Sequence, residues 1–369
     1  MSDWYKLEVE EEKAHEKFLT FLNFQYTSER NLFSSWVDGF VIKDGKKKTI
    51  NQFQTTFHSM FWEVYLNQVF IDSGHKIRGD VTSPDFCIDK NGQTVCVEAV
   101  ISNISKDNPS EDKRTFEDIY GSNDYYGILD ESIIRLYNSF LEKSKKYIDK
   151  YSTEAHVKSN PYIIAIGDYA QINYGQSYYY PLLALLYNAY YDEDEKRESL
   201  KILCEDSFNK EYKYIDNHIK SNGSLLKMGL FSDVKYQHVS AVIYSCTTTL
   251  GKLSSLCEDH FPFPKCVVVE RESPNYSYRR LRYSEQQPDE TLFDGIFIFH
   301  NPYAKNKLPD DFLSEKGVVH FFYDEENNLI KIDFLGKDIL KRRFVCMKGT
   351  ERELLEDFDD FVFYPHQRT

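Results

Sequence analysis

Hydrophobic positions in this 369-residue chain recur at helical spacing in some segments and at every second residue in others. The clearest helical pattern runs over residues 50–73, where four aromatic residues stand four positions apart: Phe53, Phe57, Phe61 and Tyr65. This spacing predicts one helix, and Gly74 predicts its end. The opposite stripe of that helix is polar, includes Glu63, and faces either water or a cleft.

The same analysis predicts an alternation of helices and strands along most of the chain. Further helices are predicted at residues 9–26, at residues 128–151 and after Pro181. Strands are predicted at residues 160–168, 238–248, 261–273, 293–304 and 317–336, with a tight turn at Asn327-Asn328. The polar residues between the first helix and residue 50, including the segment KDGKKK at 43–48, predict turns and an exposed loop.

Residues 82–103 predict a β-hairpin that carries one acidic residue on each strand. Asn91-Gly92 stands between two alternating runs, which is a strong signal for a two-residue hairpin loop. In that register the numbers of paired residues sum to 183, so Asp85 lies opposite Glu98 with their Cβ atoms about 4.5–5.5 Å apart. Four apolar side chains then share the other face and enter the core: Phe86, Ile88, Val95 and Val97.

Two carboxylates directly opposite each other repel unless a positive charge lies between them. A divalent cation such as Mg²⁺ would supply that charge, since it binds oxygen ligands and is often held by one or two carboxylates. The alternative is a solvent-facing strand pair in which both acids are hydrated. Cys87 and Cys96 are also paired in this register, and we favour two buried, reduced thiols over a zinc site.

Several short motifs point to a known superfamily. The segments SPDF (83–86) and VEAV (97–100) resemble the PD-(D/E)xK nuclease superfamily, whose core holds Pro-Asp at one strand and Glu-x-Lys on the next. Together with FWEVYL (61–66) and FHNPYA (299–304), they are similar to an uncharacterised bacterial family with this nuclease-like core.

The resemblance implies a fold and a division of the chain. The fold would be α/β, with a restriction-endonuclease-like mixed sheet flanked by helices and a β-rich C-terminal elaboration. Residues 1–49 would form an N-terminal helix and loop, residues 50–250 the nuclease-like core, and residues 251–369 a β-rich part packed on that core.

The resemblance also implies site residues. Asp85 and Glu98 would bind a Mg²⁺ or Mn²⁺ ion, with the carbonyl oxygen of Ala99 as a further ligand. Glu63, on the preceding helix, would orient a metal-bound water or bind a second ion, and an equal alternative is a residue of a polar helix stripe.

This sequence departs from the motif at one position, since Val100 stands where the superfamily has lysine. A valine cannot replace an ammonium group, so either the positive charge comes from another element or catalysis is impaired. Arg135, Lys143 and Lys146 stand near helical repeats of one another on the next predicted helix. Lys143 is our first choice for the missing cation, and the alternative is an ordinary surface lysine.

Composition narrows the classes of function. The net charge of −14 argues against a protein that coats nucleic acid non-specifically, because such binding depends on Lys and Arg. Basic clusters at 43–48, 143–150, 278–282 and 341–343 are more typical of solvated faces than of phosphate tracks. No apolar run approaches 20 residues, and the N-terminus is too charged for a signal peptide, which predicts a protein without a membrane segment. The seven cysteines include no CxxC pair, which predicts a reducing, cytoplasmic location.

The sequence therefore predicts metal-dependent phosphodiester hydrolysis of nucleic acid, with DNA as the favoured substrate. The alternative is a degenerate nuclease fold that binds nucleic acid or a protein without cutting. A cation close to Asp85 and Glu98 would favour the enzyme. Lys143 more than about 8 Å from both, with no other Lys or Arg in its place, would favour the binding module. The oligomeric state stays open.

Overall fold

A large mixed sheet with helices packed on both faces forms the centre of the molecule, so the predicted α/β class is confirmed. The computed structural model describes residues 3–105, 113, 115, 125–171, 175–192, 212–220, 223–273, 276–283, 290–324, 326 and 329–350. The predicted turn at Asn327-Asn328 and the acidic segment 351–369 lie outside these residues. No helix in the described part of the chain is long and apolar enough to cross a membrane.

The α-helices are α1 (Glu16–Leu22), α2 (Thr27–Asp38), α3 (Lys46–Thr55), α4 (Phe57–Asp72), α5 (Tyr125–Lys146), α6 (Ala155–Lys158), α7 (Tyr180–Tyr187) and α8 (Leu250–Leu256). A π-helical turn, Tyr147–Tyr151, continues α5. Short 3₁₀ turns occur at Asp3–Tyr5, Glu11–Lys13, Phe24–Tyr26, Leu230–Ser232 and Val234–Tyr236.

The strands are β1 (Lys76–Ile77), β2 (Phe86–Lys90), β3 (Gln93–Asn103), β4 (Tyr162–Tyr169), β5 (Ala189–Tyr191), β6 (Tyr212–Tyr214), β7 (Asn217–Ile219), β8 (Leu225–Lys227), β9 (Ala241–Ser245), β10 (Lys265–Ser273), β11 (Tyr276–Tyr283), β12 (Ile296–His300), β13 (Val318–Asp324), β14 (Leu329–Asp333) and β15 (Ile339–Met347). The eight-stranded sheet has the order β1-β2-β3-β4-β9-β12-β13-β14, and β11-β10-β15 form a second sheet.

The central strands are the short apolar runs that the sequence predicts as buried. All eight residues of β4 are buried, and β4 runs parallel to both β3 and β9. A strand with neighbours on both edges and helices on both faces has no exposed side, which explains why its sequence is continuously apolar.

The two faces of β3 look into different parts of the core, and this alternation decides where the site lies. Val95, Val97 and Ala99 pack in the cluster that contains α4, whereas Cys96 lies in the cluster that contains α5. Glu98 shares the α5 face with Cys96 because successive side chains of a strand point to opposite faces.

The prediction of one helix over residues 50–73 is wrong, because Thr56 interrupts it. Thr56 has φ −129° and ψ 55°, so α3 ends at Thr55 and α4 begins at Phe57. The helical spacing still holds for burial, since the four aromatic residues are buried side by side: Phe53, Phe57, Phe61 and Tyr65.

The prediction of turns and loop between residues 27 and 49 is also wrong in part. Residues 27–38 form α2, and residues 46–48 are the first turn of α3. The ring of Phe33 in α2 stacks between the rings of Phe53 and Phe61. Its centroid lies 5.3 Å from that of Phe53 and 5.4 Å from that of Phe61. Tertiary contact with these rings therefore stabilises a helix whose first turn, TSERN, is polar.

Candidate active site

The β2–β3 hairpin has the register that Asn91-Gly92 predicts. Paired residues run from Phe86 opposite Val97 to Lys90 opposite Gln93, and both loop residues have positive φ, 53° and 80°. The four apolar residues of the hairpin are buried against α4, as predicted: Phe86, Ile88, Val95 and Val97.

Asp85 stands directly before β2 and is held against β3 by one hydrogen bond. Its Oδ2 accepts from the backbone N–H of Ala99 at 2.8 Å. Burial and, second, the nearby carboxylate of Glu98 together raise the pKa of Asp85 to about 6. The contact therefore uses the amide of Ala99, and the role of its carbonyl as a metal ligand stays a prediction.

Glu98 is fully buried, yet three polar side chains from the region of α5 reach it. Lys146 donates to its Oε1, Lys143 lies 3.3 Å from the same oxygen, and the Tyr151 hydroxyl donates to Oε2 at 3.0 Å. Burial acts to lower the pKa of Lys146, but the hydrogen bond and charge of Glu98 outweigh it, so this pKa is raised. Lys146 thus stays protonated at neutral pH.

These lysines occupy the region where the motif lysine is missing. Val100 is apolar and packs on the α5 side of the sheet. Lys143 and Lys146 are three residues apart on one face of α5 and direct their ammonium groups at Glu98. Sequence reasoning ranked Lys143 first, whereas the structure gives Lys146 the direct hydrogen bond.

Tyr151 was missed by the sequence analysis. It is five residues after Lys146, a spacing that an ordinary α-helix places on another side. The π-helical turn at Tyr147–Tyr151 brings its hydroxyl to Glu98, and no sequence signal marks that turn. The Lys146 ammonium also lies 5.5 Å from the centre of the Tyr151 ring.

Glu63 projects from α4 into a cleft that Asp85 also lines, so the predicted polar stripe faces a cleft at this position. The cavity is about 90 Å³. Burial raises the pKa of Glu63 to about 8, and the charges of Asp85 and Glu98 contribute to the shift. Lys43, which sequence reasoning did not select, lines the same cleft and donates to the Pro84 carbonyl at 2.9 Å.

Cys87 and Cys96 lie beside the acids, as the register predicts. Their Sγ atoms are 3.6 Å apart, and both thiols are free and buried. Among the residues that the structure describes, no three His, Cys, Asp or Glu side chains are grouped closely enough to hold a metal ion.

The donor chemistry around the cleft nevertheless fits a hard divalent cation. Glu63, Asp85 and Glu98 are oxygen donors, and Mg²⁺ is often bound by only one or two carboxylates together with water and substrate phosphate. The pKa values of Glu63 and Asp85 are each raised in part by repulsion from neighbouring carboxylates. A cation among them would remove this repulsion.

Comparisons of the chain with protein-family models, with curated proteins and with solved structures found no match. The similarity to PD-(D/E)xK nucleases therefore rests on the motifs alone, and the chemistry of the site follows from its own side chains.

Proposed function

We propose that this protein hydrolyses phosphodiester bonds in nucleic acid with the help of Mg²⁺ or Mn²⁺, and that DNA is its favoured substrate. One observation carries the proposal: three acids from successive elements and two lysines from α5 converge around the β2–β3 hairpin. The acids are Glu63, Asp85 and Glu98, and the lysines are Lys143 and Lys146.

The local architecture supports a restriction-endonuclease-like core. An acid on a helix, an Asp at one strand and a Glu on the next strand follow in the order that the motif resemblance implies. The central sheet is mixed and the hairpin lies in it beside the parallel strand β4.

In the proposed reaction, the protein holds the acids in fixed orientations. The Ala99 amide fixes one oxygen of Asp85, and Tyr151 with Lys146 fixes the carboxylate of Glu98. Asp85 and Glu98 would hold the metal, which when bound activates water and stabilises negative charge on the phosphate.

Lys143 and Lys146 would supply the positive charge that the motif lysine carries at the position of Val100. Because Lys146 keeps its proton at neutral pH, it would act through its charge and not as a base. Its ammonium, with that of Lys143, would stabilise the negative charge that develops on the phosphate oxygens. Both lysines are partly exposed, with 31% and 14% of their side chains accessible, so an approaching phosphate would find them.

Glu63 would orient the attacking water or bind a second ion. Its pKa of about 8 means that it is mostly protonated at neutral pH in the metal-free protein, and a nearby cation would favour its ionised form. Asp85, with a pKa of about 6, is largely ionised at the same pH and would serve as a ligand.

The proposal is tested by metal binding and plasmid cleavage in Mg²⁺ and Mn²⁺ for the wild type, Asp85→Asn and Glu98→Gln. We expect each variant to lose metal binding and to cut at least about 10²- to 10³-fold more slowly, the loss typical for one electrostatic group. Asp89→Asn is the matched control, since Asp89 lies on β2, four residues and about 13 Å beyond Asp85, and accepts from Thr94. A wild type that neither binds metal nor cuts would overturn the proposal.

A non-catalytic binding module is the second candidate, because Glu98 is fully buried and already compensated by Lys146 and Tyr151. In this case the residue pairs would only stabilise the hairpin. Metal binding would then be absent while nucleic acid or a protein still bound. The separation of 3.3 Å between Lys143 and Glu98 favours the enzyme by the distance criterion given above.

A further inference from the structure

A basic surface adjoins the cleft at the start of α3. The cleft of Glu63 and Asp85 is also lined by Lys43, Asp44 and Gln52. A second, more open pocket is lined by residues 44–48 and by Gln52. Because Asp44 and Gln52 line both pockets, the cleft continues onto the surface of residues 46–48.

The lysines of this surface are available to a ligand. Lys46, Lys47 and Lys48 are exposed. Lys46 pairs with Asp3 at 2.8 Å and Lys48 with Asp44 at 2.5 Å, but both partners of each pair are more than half exposed. Exposed pairs of this kind are weak and screened by salt, so the ammonium groups can turn to a stronger anion.

The position of these lysines is unfavourable for the helix itself. The N-terminus of α3 carries the positive end of the helix dipole, and its first turn has basic residues and no acidic ones. Three cations at this end repel that dipole, and Asp3 and Asp44 offset the repulsion only through exposed pairs. An anion bound at this place would interact favourably both with the lysines and with the positive end of the helix dipole. This surface is therefore better suited to bind an anion than to stabilise the helix by itself.

We propose that residues 43–48 bind the phosphodiester backbone of a nucleic-acid strand and guide it into the cleft of Glu63 and Asp85. This inference rests on the proposed function. Lys43 stands at the inner end, where it bonds the Pro84 carbonyl next to Asp85, and the exposed lysines extend the surface outwards. The contacts are with phosphates, so binding is independent of base sequence.

The test measures binding of a fluorescently labelled 20-base-pair DNA by anisotropy, in Ca²⁺ and over a series of salt concentrations. The variant Lys47→Glu/Lys48→Glu is expected to bind about tenfold more weakly or worse. Its slope of log K against log salt should fall by about two, one for each lost phosphate contact. The control Lys227→Glu/Lys235→Glu changes two exposed lysines next to Leu226 and Tyr236, on the opposite face of the sheet.

Hydrolysis of bis(4-nitrophenyl) phosphate separates this inference from the proposed function. That diester carries a single phosphate and no strand that could extend over residues 46–48, so the variant should cleave it within about twofold of the wild-type rate. If neither protein cleaves it but the variant still loses DNA binding, the proposed function fails and the surface stands. Unchanged DNA affinity and salt slope, an equal loss in the control, or no DNA binding by the wild type would overturn the surface.

Discussion

Two clusters of buried charge in this protein contain similar residues and differ in how fully cationic side chains balance their carboxylates. The Glu98 cluster consists of Glu63, Asp85, Glu98, Lys143, Lys146 and Tyr151. The Glu290 cluster consists of Lys252, Arg271, Glu290, Asp294, Lys337 and Arg343, and it joins α8 and the β10–β15 sheet to the loop before β12.

In the Glu290 cluster, cationic side chains reach every carboxylate oxygen. Arg343 donates to both oxygens of Glu290, and Lys252 adds a bond of 2.8 Å to one of them. Asp294 accepts from Arg271 at 2.9 Å and from Lys337 at 2.6 Å. Burial acts to raise the pKa of Glu290, but Arg343 and Lys252 outweigh it and lower this pKa to about 2.

In the Glu98 cluster, the acids at the cleft have pKa values that move in the opposite direction. The pKa of Glu63 is raised to about 8 and that of Asp85 to about 6, first by burial and then by neighbouring carboxylates. Buried acids with lowered pKa values are matched by their partners, as a structural network requires. Acids with raised values in a cleft still lack positive charge, which is typical of a site that binds or reacts.

The largest effect is expected in the matched cluster. Arg343→Met leaves Glu290 buried with only Lys252, and loss of one partner of a buried pair costs about 3–5 kcal/mol of the free energy of unfolding. Urea denaturation measures it. Lys46→Met, which removes an exposed pair with Asp3, is the control and should cost less than about 1 kcal/mol. Equal stability of the two variants would mean that the Glu290 cluster is not structural.

The next effect separates the two lysines of the Glu98 cluster. Lys146→Met should lower kcat/KM for DNA cleavage about 10²-fold, equal to about 2.7 kcal/mol, because Lys146 bonds Glu98 directly. Lys143→Met should lower it about tenfold. Lys145→Met, an exposed lysine of the same helix, should leave the rate unchanged. A greater loss for Lys143→Met than for Lys146→Met would restore the sequence-based choice.

The last effect is a pH dependence of stability in metal-free buffer. Folded Glu63 has a pKa of about 8 against 4.5 for a free side chain, so the folded state keeps a proton that the unfolded state has released between these values. The free energy of unfolding therefore falls as pH rises from 4.5 to 8. Glu63→Gln should remove this loss, so its gain in the free energy of unfolding over the wild type should be larger at pH 8 than at pH 5.

Melting temperatures at pH 5 and pH 8 check this prediction. Asp89→Asn, with its acid paired to Thr94, should follow the wild type at both values. A difference between Glu63→Gln and wild type that is the same at pH 5 and pH 8 would show that Glu63 does not carry a raised pKa.

The sequence by itself determined the features that depend on neighbours within one element or one turn. Asn91-Gly92 and the two-residue period fixed the hairpin register, and with it the pairing of Cys87 with Cys96. The ladder ends at Phe86 opposite Val97, and Asp85 stands directly before it. The four-residue aromatic spacing identified the buried side of α3 and α4, although the break at Thr56 has no marker such as Pro or Gly.

Only the tertiary structure decided which side chains complete the site. Lys146 and Glu98 are 48 residues apart, and their contact depends on how α5 lies on the sheet and on the reach of a long side chain. Tyr151 arrives through a π-helical turn, and Lys43 through the loop before α3. The pKa of Glu63 likewise depends on burial and on charges from β2 and β3, because electrostatic energy follows distance in space and not along the chain.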